Sequence, residues 1–355
     1  MSVPSTMRAS VLHGIGEIRV EERPVPDPGR NEVLVRVGAV GTCGSDTHYF
    51  EHGRIGPFVV RAPLVLGHEA MGTVVARGAG VERLSPGDRV SLEPGVPDGV
   101  CAQCRAGRYN LCPRVRFMAT PPVDGAFCEY VAWDADFAHP VPDTLSDEAA
   151  ALLEPLSVGV WACRKTRVGP GDRVLVTGAG PIGLVAAQTA RAFGVTDVTV
   201  TDVSPHRLAE AQRSGATRAV DVRERSLAGA GVRADVLVEC SGVAPAAYEA
   251  VSAVDPAGRV VLVGMGGQEL TLPVSHLQNS EVELTGTFRY TNTWPTAIEL
   301  AASGAVDLDS LVTHRFGLAE VGADGGTARP GRTQGRGVPG ALRDTPEREH
   351  VPVRC

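Results

Sequence analysis

Apolar and polar side chains alternate close to period two along EVLVRVGAV, residues 32–40, as they do in a half-buried strand. GTVVARG (72–78) and GDRVSLEPG (87–95) continue the pattern between Gly and Pro breaks, so residues 1–155 read as a β-rich unit with polar loops. The pattern changes near 155. DRVLVTGAGPIGLVAAQTARAFG (172–194) is an apolar strand, a glycine turn and a helix with Ala/Leu/Val periodicity, and DVTVTDVSPHRLAEAQRSG (197–215) is a second strand–helix pair. ADVLVECSG and GRVVLVGMGG add strands that are apolar without alternation, as parallel strands covered on both faces are. Alternating units of this kind predict an α/β, doubly wound parallel sheet.

The last 34 residues, 322–355, follow neither pattern. They hold seven Gly, four Pro and six Arg with only isolated apolar positions. Such a segment cannot bury enough surface to offset its ordering entropy, and is expected to stay disordered. Lys165 is the single lysine, so nearly all basic charge is Arg; the tail has the composition of a GC-rich gene read out of frame.

Charge and cysteine usage narrow the function classes. The net charge is −7 and no Lys/Arg run occurs, which argues against nucleic acid or an acidic membrane surface as partner. The N-terminus has no apolar leader core and no stretch approaches a membrane span, so a cytoplasmic protein is expected, with its eight cysteines as thiols or metal ligands.

Two constellations carry chemistry. Gly178-x-Gly180-x-x-Gly183 lies between a strand and a helix, and Asp202 ends the next strand about 20 residues on. This is the context of a dinucleotide site, with an acid placed for the ribose hydroxyls. Asp202 would repel a 2′-phosphate and favours NAD over NADP; Arg207 tempers that or stacks on the adenine. Cys43, His68 and Glu69 offer a thiolate, an imidazole and a carboxylate, a set that suits Zn²⁺ with an open position. By spacing alone they are only candidates, as is Glu154.

CGSDTHYFEHGRIGPFVV, LGHEA, GRYNLCP, FMATPPVDGAF, LLEPLSVGVWACR, GAGPIGL and TGTFRYTNTWP together make the chain resemble the zinc-dependent medium-chain dehydrogenases over roughly residues 7–320. The resemblance is closest to their sorbitol (polyol) branch. It implies a GroES-like catalytic β domain (1–155), a Rossmann NAD-binding domain (156–290) and a return segment (291–321), followed here by the atypical tail (322–355) where the family has a further helix and strand. It implies that Cys43, His68 and Glu69 ligate a catalytic zinc, with Glu154 reaching it through water or moving in during turnover, and that Tyr49, Glu154, Arg289 and Tyr290 surround a polyol. The cofactor would meet Gly178, Gly180, Ile182, Gly183, Asp202, Arg207, Gly264, Met265, Gly266 and Phe288.

The expected reaction is oxidation of a secondary hydroxyl of a polyol such as sorbitol to a ketose, with hydride transfer to NAD⁺. The proton would leave through Ser45, the nicotinamide ribose or water, and then His48. Xylitol, a butanediol or threonine are the alternative substrates within the family. A zinc-free NADPH quinone reductase would not need Cys43, His68 and Glu69. A catalytically compromised nucleotide-binding protein is the reading the tail keeps open. The family's second, structural zinc sits on four cysteines; here Asp98 precedes Cys101, Cys104 and Cys112, so the lobe either binds zinc through a carboxylate or is empty. The resemblance further suggests a homo-oligomer, dimer or tetramer.

Overall fold

The computed structural model describes residues 3–267 and 269–321, and residues 351–354 as backbone. The chain divides into two compact units. One comprises Met1–Val96, Arg116–Ala151 and Val312–Cys355; the other comprises Pro97–Val115 and Leu152–Leu311. The first boundary falls a few residues before the expected 155. Residues 97–115, which hold the cysteine comb, group with the second unit, as do residues 291–311, so the return to the first unit begins only at 312.

In the first unit, the hairpin Thr6–Gly14/Glu17–Pro24 is antiparallel. The main sheet runs Ala138–Pro140, Arg89–Leu92, Glu69–Arg77, Glu32–Thr42, and Tyr130–Asp134 also pairs with Glu32–Thr42. The strand expected to be half-buried is buried on both faces: the consecutive Val33, Leu34 and Val35 are all inside. The reason is its central position, paired on both edges and covered near Gly38 by Asp147 of the short helix Asp147–Ala151. Valines 33, 35, 37, 74 and 90 with Leu92 and Trp133 build the core. Each fully buried side chain of this size contributes roughly 1.5–3 kcal/mol.

Residues 322–350 and 355 lie outside the described residues. Val351–Arg354, however, form a strand parallel to Glu32–Thr42, with Val351 opposite Ala39 and Arg354 opposite Thr42, and pair on the other side with His314–Arg315. The expectation of an elementless tail therefore fails at these four residues. Val351 and Val353 favour a strand, Pro352 does not, and the Gly- and Arg-rich text before them masks the signal.

The second unit holds six parallel strands in the order Arg218–Asp221, Asp197–Asp202, Arg173–Thr177, Ala234–Glu239, Val254–Leu262, Glu283–Gly286. Numbered along the chain this is 3-2-1-4-5-6, the doubly wound nucleotide-binding order. The order in which strands are added reverses between the parallel neighbours Arg173–Thr177 and Ala234–Glu239, and the glycine turn leaves the first of these strands, as the sequence predicted. Val174, Leu175, Val176, Val236, Leu237 and Val238 are buried, which accounts for the missing alternation.

Arg173 ties the starts of three strands. Its guanidinium donates to Asp235 at 2.7 and 3.0 Å and to Asp255 at 2.5 Å. The Arg173 hydrogen bond holds the Asp235 carboxyl below its ordinary value. A depressed carboxyl stabilises the fold above its unfolded pKa, about 3.9, and that contribution is lost as pH falls through the folded value. Arg173→Met should lower stability by about 1 kcal/mol at neutral pH, a figure discounted for the partial exposure of Arg173. Urea unfolding should show the gap between variant and wild type closing below about pH 4. A gap independent of pH would refute the role.

Candidate metal centre and dinucleotide site

Cys43 is the N-cap of the helix Gly44–His52, with extended backbone at φ −91 and ψ 155. Three residues on, Asp46 turns back so that its Oδ2 accepts the Cys43 N–H at 2.9 Å, while Oδ1 accepts the Gly67 N–H at 2.9 Å. One buried carboxylate thus joins the loop of Cys43 to the loop of His68. Oδ1 also lies 3.9 Å from the His68 Nδ1. Gly67 has φ +84, and a Cβ there would meet the Phe127 ring at 2.8 Å, so only glycine makes this turn.

Glu69 then begins a strand, paired directly opposite Gly41. Its carboxylate folds over that glycine: a Cβ on Gly41 would lie 2.0 Å from the Glu69 Oε2. The result is a buried pair, His68 and Glu69, beside a half-buried Cys43, with one ligand atom from each within 4.8 Å of the others. A thiolate, an imidazole and a carboxylate in this cluster fit the donor set of a catalytic zinc, which keeps its fourth position open. The sequence pointed to these three residues but not to Asp46 and Gly41 beside them. Asp46 stood in the quoted GSD run, at the third position of a capping box, which is a readable signal.

In the second unit, Gly178 takes φ +81 and Gly183 allows the helix Pro181–Ala192 to close on the turn, since a Cβ there would meet the Gly178 carbonyl oxygen at 1.8 Å. At Gly180 a Cβ would enter open space at the helix N-terminus, the cradle a pyrophosphate requires. Ile182 is half-buried in the first helical turn. Asp202 is buried, with Oδ2 accepting the Ala179 N–H and Oδ1 the Ser204 N–H, both at 2.8 Å; Arg207 stands 4.0 Å from Oδ2. Asp202 therefore also fixes the glycine turn.

Glu239, which the sequence reading passed over, does the same on the other side of the switch point. Its buried carboxylate accepts from the Thr177 and Ser241 hydroxyls and from the Ser241 and Gly242 N–H groups. Gly264 and Gly266 leave room for the backbone of Gly242, with Cβ positions 2.3 Å from its nitrogen and 1.9 Å from its oxygen. Between them, Met265 is exposed.

The remaining candidates separate. Tyr49 is buried in the core of the first unit, Ser45 is half-buried on the helix Gly44–His52, and His48 is exposed one turn later, its ring 5.6 Å from that of His52. In the second unit the Tyr290 hydroxyl donates to the Glu154 Oε1 at 2.8 Å, both side chains buried. The Arg289 guanidinium lies 4.7 Å from the centre of the exposed Phe288 ring.

The cysteine comb closes on itself. Ligand atoms of Asp98, Cys101, Cys104 and Cys112 lie within 4.8 Å of one another. The Cys101 and Cys104 sulfurs are 3.4 Å apart, and backbone N–H groups of Asp98, Cys104 and Arg114 point at sulfurs. Asp98 Oδ1 accepts the Val100 and Cys101 N–H groups. The Cys101 hydrogen bond is the main cause that holds its carboxyl well below the usual range. Oδ2 is buried without a hydrogen bond, 2.5 Å from the Arg114 guanidinium as an ion pair. Burial pushes the Cys104 thiol up to about 12. Three thiols and a carboxylate fit the donor set of a zinc held by three thiolates and one carboxylate, with Arg114 giving up its contact to Oδ2 on binding.

Two family models match the chain: the alcohol dehydrogenase GroES-like domain at residues 29–143 and the zinc-binding dehydrogenase at 181–303. Sorbitol dehydrogenase of Mus musculus is 46% identical over 331 residues, 90% of this chain and 92% of the relative. The chain belongs to the zinc-dependent medium-chain dehydrogenases. Solved structures of this family agree. An oxidoreductase of unknown specificity from Escherichia coli has a TM-score of 0.85 at 36% identity, covering 89% of this chain and 93% of its own. A zinc-binding dehydrogenase from Sinorhizobium meliloti bound to NADP has the same TM-score at 29% identity, covering 99% of each.

For this medium-chain dehydrogenase, Gly41→Ala should push the Glu69 carboxylate off its position and weaken zinc by at least about tenfold in chelator competition. An unchanged affinity would remove Glu69 from the ligand set.

Proposed function

We propose that the chain oxidises a secondary hydroxyl of a polyol such as sorbitol to a ketose, with NAD⁺ as hydride acceptor. The observation that carries the substrate class is the buried Tyr290–Glu154 hydrogen bond next to Arg289. Donors and acceptors set in a row suit an uncharged chain rich in hydroxyls. A relative 46% identical that bears the name sorbitol dehydrogenase supports it.

Cys43, His68 and Glu69 would hold the zinc. When bound, zinc supplies a Lewis acid that lowers the pKa of an alcohol so that its proton leaves near neutral pH. Asp46 and Gly41 keep the three ligands in place. Ser45 and His48, three residues apart on one helix, share a face. In this reading Ser45 accepts the proton and the exposed His48 passes it to water. Glu154 accepts from a hydroxyl of the polyol with its other oxygen, the Tyr290 oxygen, whose proton goes to Glu154, accepts from another, and Arg289 donates to a third; Tyr49 contributes through packing. The Gly178–Gly183 turn receives the pyrophosphate, and Asp202 accepts the ribose hydroxyls and repels a 2′-phosphate. Asp98, Cys101, Cys104 and Cys112 would hold a second zinc.

A homo-oligomer is part of the proposal. The strand Glu283–Gly286 ends its sheet with one edge unpaired among the described residues, where a second copy can add. No helix among the described residues is long and apolar enough to cross a membrane. None of the seven described cysteines is in a disulfide, and a cytoplasmic setting is part of the proposal.

A polyol panel with NAD⁺, run with and without a zinc chelator, tests the assignment. Sorbitol oxidation that the chelator abolishes and added zinc restores is expected. A zinc-loaded protein that oxidises no polyol would overturn it. In the same assay Asp202→Ala should let NADP⁺ compete with NAD⁺, and unchanged cofactor preference would remove Asp202 from the ribose site.

A further inference from the structure

The loop that carries Arg289 and Tyr290 is backbone-strained. Arg289 has φ 54 and Asn292 φ 53, a region that side chains other than glycine rarely enter. Such geometry persists only where the surroundings over-determine it. Here they do so from a distant part of the chain. Asn110 Nδ2 donates to the Phe288 carbonyl at 2.8 Å, on one side of the pair. On the other side the Thr291 hydroxyl donates to the Gly107 carbonyl at 3.1 Å, Asn292 Nδ2 to the same carbonyl at 3.3 Å, and the Asn292 N–H to the Tyr109 hydroxyl at 2.9 Å. Asn110 and Thr291 are buried, so their bonds are shielded from competing water.

All four bonds come from residues 107–110, which continue directly from the Cys101–Cys104 turn and lead into Cys112. One end of the lobe is closed by the Asp98–cysteine cluster, and the other grips residues 288–292 from both sides. Tyr290, held between the grips, can then aim its hydroxyl at Glu154.

We propose that the cysteine lobe is a clamp for the substrate loop, with Asn110 and Thr291 as its pins and positioning residues for the polyol. The inference rests on the reading of Arg289 and Tyr290 as polyol contacts. It gives the comb a function that does not depend on sulfur chemistry: its cluster fixes a short lever whose far end sets two side chains of the site.

The test uses the full-length protein loaded with zinc, as wild type, Asn110→Ala and the isosteric Thr291→Val. Hydrogen exchange of the 286–293 peptide should accelerate in both variants, while that of the 173–177 strand stays unchanged. The KM for sorbitol should rise about tenfold in Asn110→Ala, the loss expected for one buried hydrogen bond, and less in Thr291→Val, with the KM for NAD⁺ unchanged. Exchange unchanged in 286–293, or the two KM values rising together, would overturn the clamp. Faster exchange in a protein whose wild type oxidises no polyol would support the clamp and overturn the polyol reading instead.

Discussion

A single buried carboxylate organises the metal centre. Asp46 accepts one backbone N–H from the loop of Cys43 and one from the loop of His68, so it sets the separation of two proposed zinc ligands that are 25 residues apart in sequence. The third ligand, Glu69, follows by strand register, because its partner across the sheet is Gly41 and no larger residue would leave space for the carboxylate. Main-chain hydrogen bonds and strand pairing thus hold the three side chains as a cluster, the kind of support that preorganises a metal site.

The nucleotide-binding unit uses the same device twice. Asp202 and Glu239 stand at the carboxyl ends of two strands and bind backbone N–H groups of turns around the switch point. Acidic residues at these positions therefore combine two duties. They order the loops, and in the proposed function Asp202 also chooses between a ribose hydroxyl and a 2′-phosphate. The lobe of residues 97–115 repeats the logic at longer range, with its hydrogen bonds running to carbonyls and amides of residues 288–292.

Much of this was legible in the sequence because it is local. The strand–turn–helix context made Gly178 and Gly183 interpretable, and the loss of alternation announced a parallel sheet. The grouping of Cys43, His68 and Glu69 was suggested by resemblance alone, since their spacing leaves them as ordinary residues; the structure brings them together. What escaped depends on contacts that spacing does not encode. The need for Gly41 arises from cross-strand register, the role of Glu239 from the approach of Gly242 to Gly264 and Gly266, and the grip of Asn110 on Phe288 from a contact 178 residues apart. The strand Val351–Arg354 was hidden by the composition of the text before it. A short β pattern is outvoted in any window dominated by Gly and Arg, yet the edge of Glu32–Thr42 receives it.

Asp46 is the residue on which the arrangement of Cys43 and His68 depends. Asp46→Asn keeps the size and one acceptor but removes the second. The most direct measurement is the zinc dissociation constant of the Cys43–His68–Glu69 site by chelator competition, in wild type and this variant, with the fold checked by circular dichroism. Weakening of about 10- to 100-fold with an intact fold is predicted. An unchanged dissociation constant would contradict the claim that this carboxylate organises the centre.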